Sequence, residues 1–426
     1  MTTYTTPYRL PRPEPLDKIA AAQENLRLSI GDLADAANRE LGQMAIRTEA
    51  AVAASAATSQ AVQLTTPVDG YYNVGVQGNH RLPFRLPVAA SRVRVHFANR
   101  NDANDTGYTV PDLRINQFCY IGEHKYENGA PTGQFVDTPA NASGVGTLHL
   151  PDAQEYTGEW MDVDLEPNVE YLFSYSYYNP SGAQMAQGMG ASWLSGATGN
   201  VDKLDVPGLV ARGVAPLAVW LEVEVPANVP VLGWVGDSLL VGREATMWLH
   251  DSPAWVHGMA NRVMPRLYAS AGSRITDWTG APSSPRWTRW AGLGKCDAAI
   301  IQIGSNDIFD YDNRASEVQD VMAQRLADLV PLVRQHVSDR IYYATIMPRN
   351  TKTWSPEFVD AWRAWNDYLG TLPHGAVGCI DFASAVAARG DDARIAEHLV
   401  SADTVHLLTG GYSAMASAIP GQIATR

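Results

Sequence analysis

The sequence predicts an α/β fold on a doubly wound parallel sheet, preceded by an antiparallel β-sandwich of the jelly-roll type and, before that, a helix. Three observations lead to this prediction. An alanine-rich stretch follows a proline-rich start, short alternating segments fill the middle, and apolar runs separated by helical lengths fill the last part. With 426 residues, the chain has room for two or three domains, and 46% hydrophobic residues supply a large core.

The first two segments differ sharply in composition. Residues 1–15 contain four prolines and are expected to be extended, whereas residues 16–66 are alanine-rich and are expected to form a helix. Apolar residues recur in 16–66 at a seven-residue spacing, in two series: Ile19, Leu26 and Leu33, then Ile30, Ala37 and Met44. This imperfect heptad pattern favours anchoring on another protein or self-association, for example as a trimer, with packing on the chain's own body as the alternative.

Residues 67–230 are expected to form the β-sandwich, an accessory domain. Alternating segments such as SRVRVHFANR and VEYLFSYSYY are separated by loops rich in Gly, Asn, Asp and Pro. The segment from Asp102 resembles a calcium loop, but Leu113 stands where that loop needs a glutamate, so an ordinary polar loop is expected. The glycine- and alanine-rich segment 179–200 is expected to be a long loop, either a lid or a disordered surface segment.

Residues 231–426 are expected to form the α/β domain. The predicted strands lie in the apolar runs VLGWVG, RLYASAG, AAIIQIG, RIYYATIMP and AVGCIDF, a pattern typical of a parallel sheet covered on both faces. The predicted helices cover Asp251–Val263, Ser316–His336 and Pro356–Leu369, with a last helix after Gly411.

Composition argues against several classes of protein. The chain has 45 acidic residues against 32 Lys and Arg and no basic cluster, which argues against a nucleic-acid partner. No stretch reaches the roughly 18 consecutive apolar residues that a membrane span needs, and the first residues lack the pattern of a secretory signal. Cys119, Cys296 and Cys379 are widely spaced, so buried thiols are expected rather than a disulfide framework or a zinc cluster.

Polar residues follow several predicted strands at one edge of the sheet. Ser238 follows the first strand in Gly-Asp-Ser-Leu, Gly272 follows the second, and Asn306 follows the third. Acyl transfer from an ester needs these residue types: Ser238 as nucleophile, His406 as general base and then acid, and Asp403 to orient the imidazole. The backbone N–H groups of Ser238 and Gly272 and the Asn306 amide would stabilise the oxyanion.

Other polar residues in this part of the chain are interpreted as structural. Asp237 and Asp307 stand beside predicted site residues, where a carboxylate usually serves the hydrogen bonds of its own turn. His250, His257 and His398 have no partner at a motif spacing and are expected to be packing or surface histidines rather than a second base.

The site motifs resemble those of the GDSL, or SGNH, hydrolases, whose four blocks carry Ser, Gly, Asn and His in the order of Ser238, Gly272, Asn306 and His406. The resemblance covers residues 231–426 and implies a flavodoxin-like sheet, a serine ester-hydrolase mechanism, and no metal or cofactor. Two departures make a substrate inference from relatives unsafe. LLVGREAT follows Ser238 where many relatives have an isoleucine-threonine-aspartate-glycine run, and the second block lacks an asparagine before its glycine.

Two further stretches resemble parts of known proteins. SRVRVHFANRN and GEWMDVDLEPNVEYLFSYSYY resemble the jelly-roll domain of two-domain members of this family, where that domain helps to shape the site. The N-terminal TTPYRLPRPEPLDKIAAAQENLRLSIGDLADAANRE resembles the opening of minor tail proteins of phages that infect actinobacteria. This second resemblance implies a place in a phage tail, other tail proteins as partners, and an acylated glycan or lipid ester of the host envelope as substrate.

The leading hypothesis is an esterase that removes a small acyl group such as acetyl from an envelope carbohydrate. The alternatives are a lipase or acylhydrolase of long-chain esters and a catalytically inactive receptor-binding tail module. Most of the 12 tryptophans lie between residues 234 and 365, including Trp278, Trp287 and Trp290. A core or interface role and stacking on a sugar ring are the two interpretations of these three rings.

Overall fold

A computed structural model describes residues 57–72, 76–99, 113–143, 146–182, 185–196, 198–280 and 282–423. These residues belong to one compact unit, Ala57–Arg426. The predicted extended segment 1–15, the predicted helix up to residue 56 and most of the loop that begins at Asp102 lie outside the described residues.

The first part of the described chain consists of antiparallel strands. In chain order they are β1 Ala57–Gln63, β2 Thr66–Tyr72, β3 Gln77–Arg85, β4 Ala90–Ala98, β5 Arg114–Glu127, β6 Ala130–Phe135, β7 Ala140–Asn141, β8 Thr147–His149, β9 Glu155–Thr157, β10 Met161–Leu165, β11 Glu170–Tyr178, β12 Met185–Ser195, β13 Val210–Pro216 and β14 Ala218–Pro226. One sheet has the order β1-β14-β4-β10, with β9 also on β4. The other has the order β13-β12-β3-β11-β5-β6, with β2 on β12 and with β7 and β8 on β5.

Aromatic side chains connect these two sheets. The Phe97 ring on β4 lies 6.2 Å from Phe173 and 5.3 Å from Tyr175, both on β11, between ring centroids. All three residues are buried. Burial of such large apolar rings is the main source of stabilisation for an antiparallel pair of sheets, since each ring removes a large apolar area from water.

Strand β1 lies inside the range that the sequence assigns to the N-terminal helix. It pairs with β14 along its whole length, from Ala57 opposite Pro226 to Gln63 opposite Trp220. The alanines favour a helix locally, but pairing with a central strand and burial of Val62 override that preference. The helix prediction is therefore wrong for residues 57–63, and the strand region begins at 57 rather than at 67.

Strand β12 lies where the sequence predicts a long loop over residues 179–200. It pairs with β2, β3 and β13. A Cβ on Gly188 would stand 2.3 Å from the carbonyl oxygen of Leu217 and 2.5 Å from the hydroxyl oxygen of Thr65. The loop prediction is wrong for Met185–Ser195, because glycine here permits close backbone approach within a sheet rather than mobility.

The second part of the described chain contains a parallel sheet with helices between its strands. Its strands are β15 Val231–Gly236, β16 Met264–Ala269, β17 Ala298–Gln302, β18 Ile341–Ala344 and β19 Gly378–Ile380, followed by the short pair β20 Ala387–Ala388 and β21 Asp391–Ile395. The α-helices are α1 Pro253–Asn261, α2 Ile275–Thr279, α3 Pro285–Thr288, α4 Ser305–Ile308, α5 Val318–His336, α6 Pro356–Gly370, α7 Phe382–Val386 and α8 Thr409–Ser417. Short 3₁₀ helices cover Thr198–Asn200, Ala291–Leu293, Phe309–Glu317 and Pro373–Gly375.

The sheet has the order β16-β15-β17-β18-β19, and every neighbouring pair is parallel. Four of these strands lie in the predicted apolar runs, whereas β16 begins at Met264, two residues before its predicted run. Helices α1 and α5 lie in the predicted helical ranges, and α6 ends one residue after its predicted range, at Gly370. Helix α8 begins at Thr409, whereas the sequence predicts a start after Gly411. None of the helices in the described ranges is long and apolar enough to cross a membrane.

Several contacts join the antiparallel sheets to the α/β part, and two of them lie near β15 and β16. The Arg266 guanidinium on β16 donates a 2.7 Å hydrogen bond to the Gln60 side chain on β1. Met247, in the segment between β15 and α1, packs in one apolar cluster with three residues of the second sheet, Phe135, Leu172 and Trp193. The segment that follows β15 is therefore held against the antiparallel part.

Candidate active site

Ser238 lies two residues beyond the end of β15, which has β16 on one side and β17 on the other. In open parallel sheets, ligands bind beyond the carboxyl ends of the strands where the strand order reverses. A Cβ on Gly236 would lie 2.5 Å from the backbone oxygen of Gln302, so glycine lets the chain turn tightly at this point. The Asp237 carboxylate accepts the Leu239 N–H at 3.0 Å and supports the turn, as expected.

Ser238, His406 and Asp403 form a continuous hydrogen-bonded chain. The Ser238 Oγ lies 2.7 Å from His406 Nε2, and His406 Nδ1 lies 2.5 Å from Asp403 Oδ2. Because a carboxylate only accepts hydrogen bonds, the ring proton belongs on Nδ1, which leaves Nε2 free to accept the serine proton. The structure thus brings together the three residues that the sequence predicts, although 168 positions separate Ser238 from His406.

Asp403 is held as an anion by several donors. Its Oδ1 accepts the N–H groups of Val405 and His406 at 3.0 and 2.9 Å and the Ser401 hydroxyl at 2.7 Å. Burial alone would raise the pKa of this carboxyl, but the hydrogen bonds from His406, Val405 and Ser401 outweigh burial and hold the pKa well below its ordinary value. The charge needed to orient His406 is therefore present at neutral pH.

His406 is largely shielded from solvent, with 7% of its surface exposed. Burial lowers the pKa of its imidazole below the ordinary value, and the Asp403 carboxylate opposes this effect only in part. The ring is consequently neutral at pH 7, which is the state that a general base requires.

Gly272 and Asn306 lie on adjoining segments. Gly272 follows β16 in the turn closed by the Ser273 N–H and the Ser270 carbonyl, with φ of +77°, a conformation that favours glycine. Asn306 lies on α4 after β17, and its side-chain amide donates to the Ser273 carbonyl at 3.1 Å. This bond ties the turn that contains Gly272 to the segment that contains Asn306.

Arg349, which the sequence analysis missed, contacts the Asn306 segment directly. Its Nη2 donates to Asn306 Oδ1 at 2.9 Å and to the Ser305 hydroxyl at 2.9 Å, and its Nε donates to the same hydroxyl at 3.2 Å. Its place in the run RIYYATIMPRN, just beyond the fourth predicted strand, is the signal that could have found it, since the same edge carries the other site residues.

Two more segments support the His406 loop. The backbone N–H of Asn350 donates to the Thr404 carbonyl at 2.9 Å. Thr409 donates to Asp251 at 3.1 Å, and Asp251 also accepts the Met247 N–H at 2.9 Å. Neither Asn350 nor Asp251 stands in a motif, so no sequence signal selects them.

The remaining polar residues have structural contacts. Asp307 accepts the Ile275 N–H at 3.1 Å and pairs with Arg325 at 2.5 Å, as expected of a structural carboxylate. Burial lowers the pKa of His250 to about 3 and that of His257 to about 4, which removes both as proton carriers at neutral pH. His398 is exposed.

Trp278, Trp287 and Trp290 are core residues. Each is at most 3% exposed, and each indole N–H donates within the fold, to the Ser273 hydroxyl, the Trp278 carbonyl and the Leu267 carbonyl respectively. Their burial removes them as surfaces on which a sugar could stack. Cys119 and Cys296 are buried free thiols, whereas Cys379 is half-buried, which differs from the expectation of three buried thiols.

No family model matches this sequence, and no curated protein is significantly similar to it. Solved structures similar to this chain are carbohydrate esterases and G-D-S-L lipolytic proteins, at low identity. A family two carbohydrate esterase from Cellvibrio japonicus is 14% identical, with 85% of this chain and 96% of that one covered and a TM-score of 0.33.

A family two carbohydrate esterase from Clostridium thermocellum, solved in complex with cellohexaose, is 10% identical, with 84% of this chain and 91% of that one covered and a TM-score of 0.33. A G-D-S-L family lipolytic protein from Desulfitobacterium hafniense is 16% identical, with 44% of this chain and 96% of that one covered and a TM-score of 0.35. At these TM-scores the likeness does not establish what this chain does.

Proposed function

We propose that this chain is a serine ester hydrolase in which Ser238 is the nucleophile, His406 the general base and then acid, and Asp403 the residue that orients the imidazole. The observation that supports this most directly is the unbroken chain from Ser238 Oγ through the His406 ring to Asp403, with bonds of 2.7 and 2.5 Å. A packing histidine has no need of a serine on one ring nitrogen and a charged carboxylate on the other.

In the proposed reaction, Ser238 Oγ attacks the ester carbonyl carbon while its proton passes to His406 Nε2. The tetrahedral intermediate collapses as His406 gives that proton to the leaving alkoxide, and the C–O bond to the alcohol breaks. Water then attacks the acyl-serine, again with His406 as the base, and Ser238 is restored with release of the acid. Asp403 stabilises the imidazolium formed in each step.

The negative charge on the carbonyl oxygen is proposed to lie between the N–H groups of Ser238 and Gly272 and the Asn306 amide. The hydrogen bond from Asn306 to the Ser273 carbonyl supports this, because it joins the Gly272 turn to the amide. An amide nitrogen has two N–H groups, and the second makes no hydrogen bond to a described residue. Fixed donors of this kind contribute a large share of catalysis in acyl transfer.

The finer fold assignment is part of the proposal. We assign the parallel sheet to the doubly wound, flavodoxin-like class, which the order β16-β15-β17-β18-β19 supports. We assign the two antiparallel sheets to a jelly-roll-like sandwich, which the contacts of Phe97 with Phe173 and Tyr175 support.

For the substrate, we propose an O-acetylated carbohydrate of a cell envelope. Two half-buried rings lie beside the Asn306 and Arg349 segments: Phe309 is 4.7 Å from the Arg349 guanidinium, and Trp354 is 4.8 Å from Phe309. Arg349 covers one face of Phe309, and Lys352 Nζ lies 4.6 Å from the centre of the Trp354 ring, so a sugar would contact the parts of the two rings that these cations leave open. The carbohydrate proposal therefore rests on Phe309 and Trp354, and no longer on the three buried tryptophans of the sequence analysis.

The proposal is tested by p-nitrophenyl acetate hydrolysis with the purified chain and with Ser238→Ala and His406→Ala. Each variant is expected to lose activity by several orders of magnitude. Ser417→Ala and His398→Ala are the matched controls, because both residues are exposed and neither touches the site, and they should keep the activity of the unmodified chain. Equal activity in Ser238→Ala and the unmodified chain would refute the proposed nucleophile.

A series of p-nitrophenyl esters from acetate to palmitate separates the acetyl esterase from the long-chain lipase. Highest kcat/KM on acetate supports the first, and highest kcat/KM on palmitate supports the second. An inactive receptor-binding module would hydrolyse none of them, and its binding to host cells would survive Ser238→Ala.

A role in a phage tail rests on the sequence of residues 1–56 alone. We propose that this segment joins the chain to other tail proteins or to copies of itself. Light scattering of the full chain against a chain that begins at Ala57, and so keeps β1, tests self-association. An unchanged mass per particle would remove the segment from that role.

A further inference from the structure

We propose that Arg349 is a positioning residue that fixes the Asn306 side-chain amide, so that one of its N–H groups faces the oxyanion. This inference rests on the proposed function, because an oxyanion forms only if Ser238 attacks an ester. It adds a residue that the sequence motifs do not contain.

The neighbours of Asn306 decide which way its amide points. A guanidinium has donors only, so the Asn306 atom 2.9 Å from Arg349 Nη2 must be the oxygen. The Ser273 carbonyl accepts only, so the atom 3.1 Å from it must be the nitrogen. A donor-only group on one side and an acceptor-only group on the other therefore exclude the flipped orientation of the amide.

Arg349 itself is held rigidly. The Ser305 hydroxyl accepts from both Nε and Nη2, at 3.2 and 2.9 Å, and the Phe309 ring lies 4.7 Å from the guanidinium. Within the described part of the chain, Arg349 forms no ion pair at contact distance, although the carboxylates of Asp237, Asp310 and Asp403 act on its charge from farther away. Its hydrogen bond to Asn306 is charge-assisted and so stronger than one between neutral groups.

The same segment also reaches the acid–base pair. The next residue, Asn350, donates its backbone N–H to the carbonyl of Thr404, between Asp403 and His406. Residues 349–350 thus connect the oxyanion amide to the loop that holds the general base. A substrate-binding role for Arg349 is the competing interpretation, and kinetics separate the two.

The experiment is a double-mutant cycle on p-nitrophenyl acetate with Arg349→Met, Asn306→Ala and the double variant. If Arg349 acts through Asn306, Arg349→Met should lower kcat roughly 10- to 100-fold with KM within about threefold, somewhat less than the loss of an oxyanion donor. In the Asn306→Ala background, Arg349→Met should lower kcat by less than about threefold, because the amide that Arg349 positions is absent. Arg349→Lys should recover part of kcat.

Arg363→Met is the matched control, because Arg363 is an exposed arginine paired with Asp360 and Asp392 away from the site, and it should leave kcat unchanged. Losses that multiply in the double variant, or a rise in KM at constant kcat, would overturn the proposal. If Arg349→Met fails to fold by circular dichroism, Arg349→Lys takes its place in the cycle, and the criterion is whether its smaller loss of kcat disappears once Asn306 is alanine. Absence of activity in the unmodified chain would instead be a failure of the proposed function.

Discussion

The hydroxyl of Thr409 donates a 3.1 Å hydrogen bond to the carboxylate of Asp251. Thr409 lies three residues after His406, and Asp251 lies in the segment that follows Ser238, so this bond joins the segments that carry the proposed base and the proposed nucleophile. Asp251 in turn lies 3.8 Å from Arg85 on β3. The antiparallel part of the chain therefore contacts the segment on which the proposed nucleophile and base depend.

Thr409→Val removes the bond to Asp251 and the hydrogen bonds between the Thr409 hydroxyl and Thr246, while it keeps the shape of the side chain. The free energy of unfolding is expected to fall by about 1 kcal/mol, and kcat on p-nitrophenyl acetate by a few-fold, because the His406 loop loses a fixed contact. Urea unfolding and steady-state kinetics measure the two effects. Thr371→Val is the control, since the Thr371 hydroxyl donates to the Tyr368 carbonyl in an exposed turn after α6. Unchanged kcat in Thr409→Val would show that this contact is not needed for catalysis.

Arg85→Met breaks the ion pair between Arg85 and Glu170, whose closest atoms are 2.7 Å apart. Glu170 has only 9% of its side chain exposed, so the loss of its partner should be costly. Because Glu170 would keep the hydrogen bonds from His124 and Tyr126, we expect the free energy of unfolding to fall by roughly 2–3 kcal/mol rather than more. Chemical denaturation measures it. Arg92→Met, at the more exposed pair with Glu224, should cost less than about 1 kcal/mol. Equal losses in the two variants would contradict the buried-pair interpretation.

The activity should depend on pH through His406. A general base must be neutral, and burial lowers the pKa of this ring, so kcat/KM on p-nitrophenyl acetate should rise with pH to a plateau with a midpoint below about 6.5. Asp403→Asn should lower kcat roughly 10³- to 10⁴-fold and move the midpoint further to acid, because the Asp403 carboxylate raises the His406 pKa. Asp360→Asn, an exposed change, should alter neither. A midpoint above 7 would rule out this account of the base.

Stability should depend on pH through Asp237. Burial raises the pKa of this carboxyl to about 6, although the Leu239 N–H and Arg349 oppose the effect and Asp307 adds to it. The folded state then binds the proton more tightly than the unfolded state, so the unfolding free energy falls as pH rises from about 4 to about 6, by on the order of 2–3 kcal/mol. In Asp237→Asn this component should vanish, as urea unfolding at pH 4 and pH 7 would reveal. Asp339→Asn changes an exposed carboxylate and should leave this pH dependence of the unfolding free energy in place.

Gly188→Ala should destabilise the fold strongly, because a Cβ there would stand 2.3 Å from the backbone oxygen of Leu217, the residue that joins β13 to β14 and cannot move independently of these two strands. We expect the free energy of unfolding to fall by roughly 1–3 kcal/mol and the thermal midpoint to drop by several degrees. Gly196→Ala, just beyond β12, has open space around the new methyl group and should be nearly neutral. Equal thermal midpoints for the two variants would instead support the loop that the composition predicts for this segment.

The sequence determined the parts of this protein whose signals are local. Apolar runs in residues 231–380 located the five parallel strands, because strands buried on both faces are continuously apolar. Gly-Asp-Ser-Leu and the later Asp403 and His406 block were sufficient to select three residues that meet in space. Ser238 was selected by its place after a parallel strand, whereas Asp403 and His406, which lie between β21 and α8, were selected by their residue types and order.

Tertiary structure alone decided what depends on distant partners. Composition favoured a helix at β1 and a loop at β12, and pairing with β14 and with β2, β3 and β13 overrode both. The same reason explains why Arg349 went unnoticed. Its contact with Asn306 spans 43 positions and follows no spacing, so only the packed chain places a donor-only group against that amide oxygen.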